Sequence, residues 1–226
     1  MGQVNFGIPI ETALFIKKIM NLENFIEGGT FKGGTAKKMA GYFRNVITIE
    51  ASPKLYKAAS ESLTNINNII IKEGSTKEIL AATLNDDGWD NVLFWLDSHW
   101  SGGETYGIDD ECPLIKEIEI INNSKMKNMA IMIDDARLFL SPPPKPHNLE
   151  KWPSIKEISL IMPQYMDIVV FNDVIFLLPK GIIINFKKYI QDQVTAEWNK
   201  KESLFSQVVL LLKIAKRKLK NVIFHS

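Results

Sequence analysis

The spacing of apolar positions along the 226-residue chain changes several times, and each change marks an element. In residues 9–21, Ile10, Ala13, Leu14, Ile16, Ile19 and Met20 recur at the spacing of an amphipathic helix, with Thr12 near its start. Short apolar runs follow at 24–27, 46–50, 69–72, 92–97 and 129–134, separated by stretches long enough for helices. Strands alternating with helices predict a parallel sheet, because parallel neighbours need a crossover. After Pro163 the pattern differs: 165–171 and 174–178 are apolar runs joined only by Asn172-Asp173, a turn-forming pair. Such a connection has no room for a helix, so these two must form an antiparallel hairpin.

The runs end in acids. Glu27, Glu50 and Asp97 close three of them, and Asp134 and Asp135 close the fifth. Ligands of open α/β sheets bind outside the carboxyl ends of the strands, so these residues are expected on one rim. Residues 25–35 read as an apolar strand, an acid and a glycine-rich turn entering a helix, where side chains would block close approach of the backbone to a ligand. Glu50, at the end of the next run, is placed to accept hydrogen bonds from both hydroxyls of a ribose. The turn departs from G-x-G-x-x-G, which weakens a nicotinamide or flavin reading and fits a ligand without a pyrophosphate. Glu73-Gly74-Ser75-Thr76 reads either as the flank of an adenine or as a helix start capped by Ser75.

At the reactive end, Asp97, Asp134 and Asp135 are hard oxygen donors suited to magnesium, calcium or manganese, while Asp134 or Asp135 singly reads also as a helix cap or a partner of Arg137. His99 beside them reads either as a general base or as an anchor for the glycine-rich loop that follows it. Glu111 is a loop-capping carboxylate or a further ligand, and Cys112, before Pro113 and without an evident base, is a structural thiol. Four prolines stiffen residues 138–148, as a wall over an acceptor with Trp100, His147 and Trp152 available to a sugar ring, or as a rigid connector.

Composition narrows the possibilities. With 27 basic and 26 acidic side chains and 46% hydrophobic residues, the chain is a folded protein rather than a disordered one. One cysteine excludes an internal disulfide and points to the cytoplasm. The N-terminus lacks the pattern of a signal peptide, and no apolar run approaches the ~20 residues of a transmembrane helix. Ten of the basic residues fall in 180–226 against three acids, which leaves the body acidic and argues against nucleic acid as a partner. The expected organisation is one domain over residues 1–180 and a basic helical extension over 181–226. Residues 204–220 form a basic amphipathic pattern that either makes peripheral contact with the inner face of a membrane or packs on its own domain or on a second subunit of a homodimer.

A parallel sheet closed by one antiparallel hairpin, with these acids at its rim, resembles the class I S-adenosylmethionine-dependent methyltransferases, in particular the sugar O-methyltransferases similar to macrocin O-methyltransferase. The resemblance covers about residues 8–180. It rests on Glu27 and Gly29 in the first motif, Glu50 as the ribose acid, and Asp97, Asp134 and Asp135 at the positions that hold magnesium in metal-dependent members. It implies an α/β, Rossmann-like fold: a mainly parallel seven-stranded sheet with a C-terminal antiparallel hairpin, flanked by helices. It implies S-adenosyl-L-methionine as cofactor, bound by Glu27, Gly28, Gly29, Thr30, Gly33, Thr35, Glu50, Ala51, Ser52, Gly74, Ser75 and Asp97. It further implies a divalent cation, Mg2+ or another, on Asp97, Asp134 and Asp135, catalysis by His99 and Asp97, and methyl transfer to a hydroxyl of a small-molecule or glycan acceptor. His99 is displaced from the catalytic histidine of some members. Two other readings keep the fold: an NAD-type oxidoreductase, and a non-catalytic nucleoside-binding scaffold docking through its basic tail.

Overall fold

Runs rich in isoleucine, valine and phenylalanine are buried on both faces only in the middle of a sheet covered by helices. The computed structural model, which describes residues 7–85, 89–100 and 110–202, shows this arrangement. Helix α1 (Ile10–Met20) leads into β1 (Asn24–Gly28), then α2 (Gly34–Met39), β2 (Asn45–Glu50), α3 (Pro53–Leu63), β3 (Ile69–Glu73), α4 (Thr76–Asn85) and β4 (Val92–Leu96). The second half adds α5 (Leu114–Asn122), β5 (Met129–Ile133), α6 (Arg137–Leu140), α7 (Ile155–Ile161), β6 (Met166–Phe171) and β7 (Val174–Pro179).

The seven strands lie in the order β3-β2-β1-β4-β5-β7-β6. The first five run parallel, whereas β7 pairs antiparallel with both β5 and β6. Asn172 and Asp173 adopt positive φ, 45° and 64°, as a tight hairpin turn requires at both central positions. Every residue of β1, β4 and β5 is buried, because these strands are central and helices cover both faces. On one face Ile26, Ile47, Phe94, Ile131 and Leu177 pack with Leu80, Leu84, Ile118, Ile121 and Ile158 from α4, α5 and α7. Side chains alternate across a strand, so Phe25, Leu93, Trp95 and Met132, all fully buried, serve the other face.

Two helix starts show how the connections are set. Ser52 precedes Pro53 and accepts the Leu55 N–H at 3.5 Å, and Ser154 with Glu157 forms a capping box at α7. The chain divides into two compact units between Ile183 and Ile184. The second is helical as far as residue 202, and its Trp198 is exposed. The basic pattern at 204–220, the N-terminal residues 1–6 and the glycine-rich loop 101–109 lie outside the described residues. No helix among the described residues is long and apolar enough to cross a membrane.

Candidate functional site

Strand order reverses between β1 and β4, whose neighbouring carboxyl ends leave a crevice between them. A cavity of about 300 Å3 opens there, within the range of small-molecule sites. Gly29, Glu50, Ser75, Asp97, His99 and Asp110 are among the residues that line it, together with Phe31, Ala51, Ser98 and Pro113. Gly29 has φ +91°, and a Cβ there would stand 2.2 Å from the carbonyl oxygen of Asp97. The glycine is therefore demanded first by the chain's own backbone, where β1 and β4 end side by side, rather than by a ligand. Gly33, φ +76°, starts α2 against Leu63, and Gly28 packs against Thr76 and Ser98.

Glu50 ends β2 with its carboxylate at the cavity wall. One oxygen accepts the Phe31 N–H at 2.8 Å and the other the Ser52 N–H at 2.9 Å. Burial raises its pKa, while the N–H donors of Ser52, Phe31 and Ala51 pull the other way. Each oxygen has a second lone pair, so the carboxylate can still accept from a vicinal diol. Glu27 lies deeper, 1% exposed, beneath the turn rather than in the lining. Thr48 donates to it at 2.6 Å, Thr35 bonds it as well, and Thr30 shares a hydrogen bond with Thr48 at 2.6 Å. Burial pushes the Glu27 carboxyl up to about 8, so it is largely protonated at neutral pH. Gly74 has φ +139° and gives its N–H to the Glu50 carbonyl, and Ser75 receives the Ile79 N–H on its own carbonyl while lining the cavity.

Across the crevice side chains do most of the holding, although Asp134 accepts the Asp135 N–H at 2.8 Å. His99, its side chain 6% exposed, places Nε2 2.9 Å from Asp135 and Nδ1 3.6 Å from Asp97. Asp135 adopts a left-handed backbone, φ +56°, and its other oxygen accepts from Arg137 at 2.7 Å. Arg137 continues to Asp173 at the hairpin turn, so the β6–β7 turn braces the end of β5. Burial raises the pKa of Asp135, but His99 and Arg137 outweigh it and hold the carboxyl below the usual range. Burial and the charges of Asp134 and Asp135 raise Asp97 well above the usual range, and burial with Asp135 raises Asp134. Asp97 thus sits among crowded carboxyls, whose mutual repulsion disfavours ionising all of them.

The three aspartates expected to ligate a cation thus share one rim. Asp134 and Asp135 lie outside the cavity lining, and both Asp135 oxygens are engaged. Among the described residues no group of three or more acid, histidine or cysteine side chains has the arrangement of a metal site.

Glu111 caps the wall. Buried, it accepts from Trp152 Nε1 at 2.9 Å, from the Asn148 N–H at 3.1 Å, and faces His147 Nδ1 at 3.2 Å. Trp100 and Trp152 are buried around it, with His147 edge-on to both at 5.4 and 5.0 Å. These rings, expected either at a sugar or on a rigid connector, pack around Glu111, because a buried carboxylate needs donors and the Trp152 indole and His147 imidazole supply them. Cys112 is buried, its thiol pushed up to about 12 by burial, as befits an unreactive side chain.

Glu117 went unmarked by motif reasoning. It is 1% exposed on α5, takes the Ser98 hydroxyl proton in a hydrogen bond, and burial pushes its carboxyl up to about 7. The signal existed: Leu114, Glu117, Ile118 and Ile121 share the buried face of α5, and an acid in that stripe is out of pattern.

No protein-family model and no curated protein matches the chain by sequence. Solved structures do match by shape. A "putative caffeoyl-CoA O-methyltransferase" of Staphylococcus aureus superposes with a TM-score of 0.56 at 16% identity, over 78% of this chain and 86% of that one. An O-methyltransferase of Bacillus cereus in complex with SAH gives 0.52 at 15% identity, over 76% and 82%. The fold is that of the class I methyltransferases. At these identities the likeness speaks for the fold alone.

Proposed function

We propose that the chain is an S-adenosylmethionine-dependent O-methyltransferase that methylates a hydroxyl of a sugar or glycosylated metabolite. One observation carries the choice of donor: among the described residues the cavity at the switch point is lined by Glu50, Asp97 and Asp110 and by no lysine or arginine, with Lys77 paired to Asp110 at its edge. Such a wall favours a cationic ligand and repels the pyrophosphate of a dinucleotide. The complex of the Bacillus cereus neighbour with SAH supports the same donor.

The sulphonium donor supplies an electrophilic methyl group. Glu50 would accept the ribose hydroxyls, and the Gly29 turn would let the nucleoside lie against the β1 end. Asp135 orients His99 through Nε2 at the cavity wall, where the imidazole would take the acceptor's proton as a carboxylate-oriented general base. Calorimetry with SAH against NAD tests the donor: SAH binding with no NAD binding supports the reading, and the reverse overturns it. Turnover of labelled donor across nucleotide sugars and lipid-linked oligosaccharides tests the acceptor class, and SAH binding without turnover of any acceptor favours a scaffold.

A second reading adds a divalent cation held by Asp97 and Asp134, with Asp135 released from His99. The crowding of those carboxyls favours it, since a cation relieves their repulsion. Turnover that survives saturating chelator overturns it.

A further inference from the structure

Ser98 stands between two spaces. It lines the main cavity, and with His99, Cys112 and Glu117 it also lines a second, of about 10 Å3, behind it. Its hydroxyl donates to Glu117 Oε1. A serine hydroxyl carries one proton and two lone pairs, whereas an ionised carboxylate can only accept. With the proton committed to Glu117, the Ser98 oxygen shows only lone pairs to the main cavity. Glu117 is costly where it is, in the apolar stripe of α5 at a position any leucine would fill, and among the described residues the Ser98 hydroxyl is its hydrogen-bond donor.

We propose that Glu117 locks Ser98 as a hydrogen-bond acceptor that recognises an N–H or O–H donor of the ligand in the main cavity. Under the methyl-transfer reading, on which the inference rests, that donor is the ammonium of the cofactor or the hydroxyl of the acceptor. Ser98 touches the ligand, and Glu117 is a positioning residue acting through it. Gly28 abuts the pair without constraining it: a Cβ there would stand 2.9 Å from Thr76 Cγ2 but at ordinary contact distance, 3.5 Å, from Ser98 Oγ.

The test uses the full chain at pH 8.5, where Glu117 is ionised. Calorimetric titrations use SAH and 5′-methylthioadenosine, which lacks the amino-acid end, on wild type, Ser98→Ala, Ser98→Thr, Glu117→Leu and the double variant Ser98→Ala with Glu117→Leu. Thermal melts check folding. Ser98→Ala and Glu117→Leu should each weaken binding about 10-fold, the loss of one hydrogen bond to a charged group. Ser98→Thr should restore it, and Glu117→Leu should add nothing once Ser98 is alanine. A loss for SAH but not for 5′-methylthioadenosine assigns the donor to the ammonium. Intact SAH affinity with a 10-fold fall in kcat/KM for nucleotide sugars assigns it to the acceptor hydroxyl. Should Glu117→Leu not fold, Glu117→Gln keeps an acceptor oxygen and should retain most of the affinity, while Ser98→Ala stays decisive. Wild type that binds SAH while Ser98→Ala alters neither affinity nor turnover overturns the inference and leaves methyl transfer standing. Further weakening by Glu117→Leu in the Ser98→Ala background overturns the lock. Wild type that binds no SAH overturns both.

Discussion

The two sides of the rim hold their carboxylates by different means. On the β1–β2 side, Glu50 is fixed by backbone N–H groups of Phe31 and Ser52, which move only if the fold moves. On the β4–β5 side, one backbone N–H, that of Asp135, reaches Asp134, and otherwise Asp97, Asp134 and Asp135 are fixed by one another, by His99 and by Arg137. The first arrangement suits a binding surface that must stay put. The second suits chemistry, since side chains can rotate, exchange partners and pass a proton without disturbing a strand.

Breaking the backbone side should have the largest effect. Gly29→Ala forces a Cβ to 2.2 Å from the Asp97 carbonyl oxygen at a positive φ, so a loss of at least about 4 kcal/mol is expected in urea denaturation. A variant within 1 kcal/mol of wild type would show that the turn is not pinned by β4.

Next comes Glu27→Gln. The folded pKa of Glu27, about 8, lies above its unfolded value of 4.5, so the folded state binds the proton more tightly. That contribution to stability is complete below pH 4.5 and is lost as pH rises through 8. Glutamine mimics the neutral acid and still accepts from Thr48, so the variant should match wild type near pH 4.5 and exceed it by up to about 4 kcal/mol at pH 9. A constant difference across that range contradicts the buried neutral acid.

Glu50→Ala removes two charge-assisted acceptors and should weaken SAH binding about 100-fold, roughly 2–3 kcal/mol, measured by calorimetry. On the side-chain side the effects shrink. Arg137→Ala unties Asp135 from the hairpin turn, but Arg137 is 43% exposed, so solvent screening holds the loss to about 1 kcal/mol by chemical denaturation. Smallest is Lys77→Ala, which breaks the exposed Lys77–Asp110 pair beside the cavity and should change stability by less than about 0.5 kcal/mol, with even that lost in high salt. A large effect of either would mean the β4–β5 side is as rigid as its counterpart.

The same contrast sorts what could be read in advance. Seven strands, their helices and the final hairpin were visible because hydrophobic period and turn chemistry are local, and they placed each strand within a residue or two of where it lies. Glu50 and Gly29 were visible because a strand end and a turn position them directly. The inward packing of Trp100, His147 and Trp152 was not, because their partner Glu111 lies 36 to 41 residues from the latter two. Asp135 was visible as an acid at a strand end, but its pairing with His99, 36 residues away, was not.

The order of apolar and polar positions was enough to specify a parallel sheet ending in a hairpin and to bring acids to one edge of it, since backbone geometry propagates from neighbour to neighbour. Which acid keeps its proton, which faces the cavity and which serves another side chain was decided by tertiary structure. Those properties arise from desolvation and from partners far away in the chain, as when α5 folds Glu117 against Ser98.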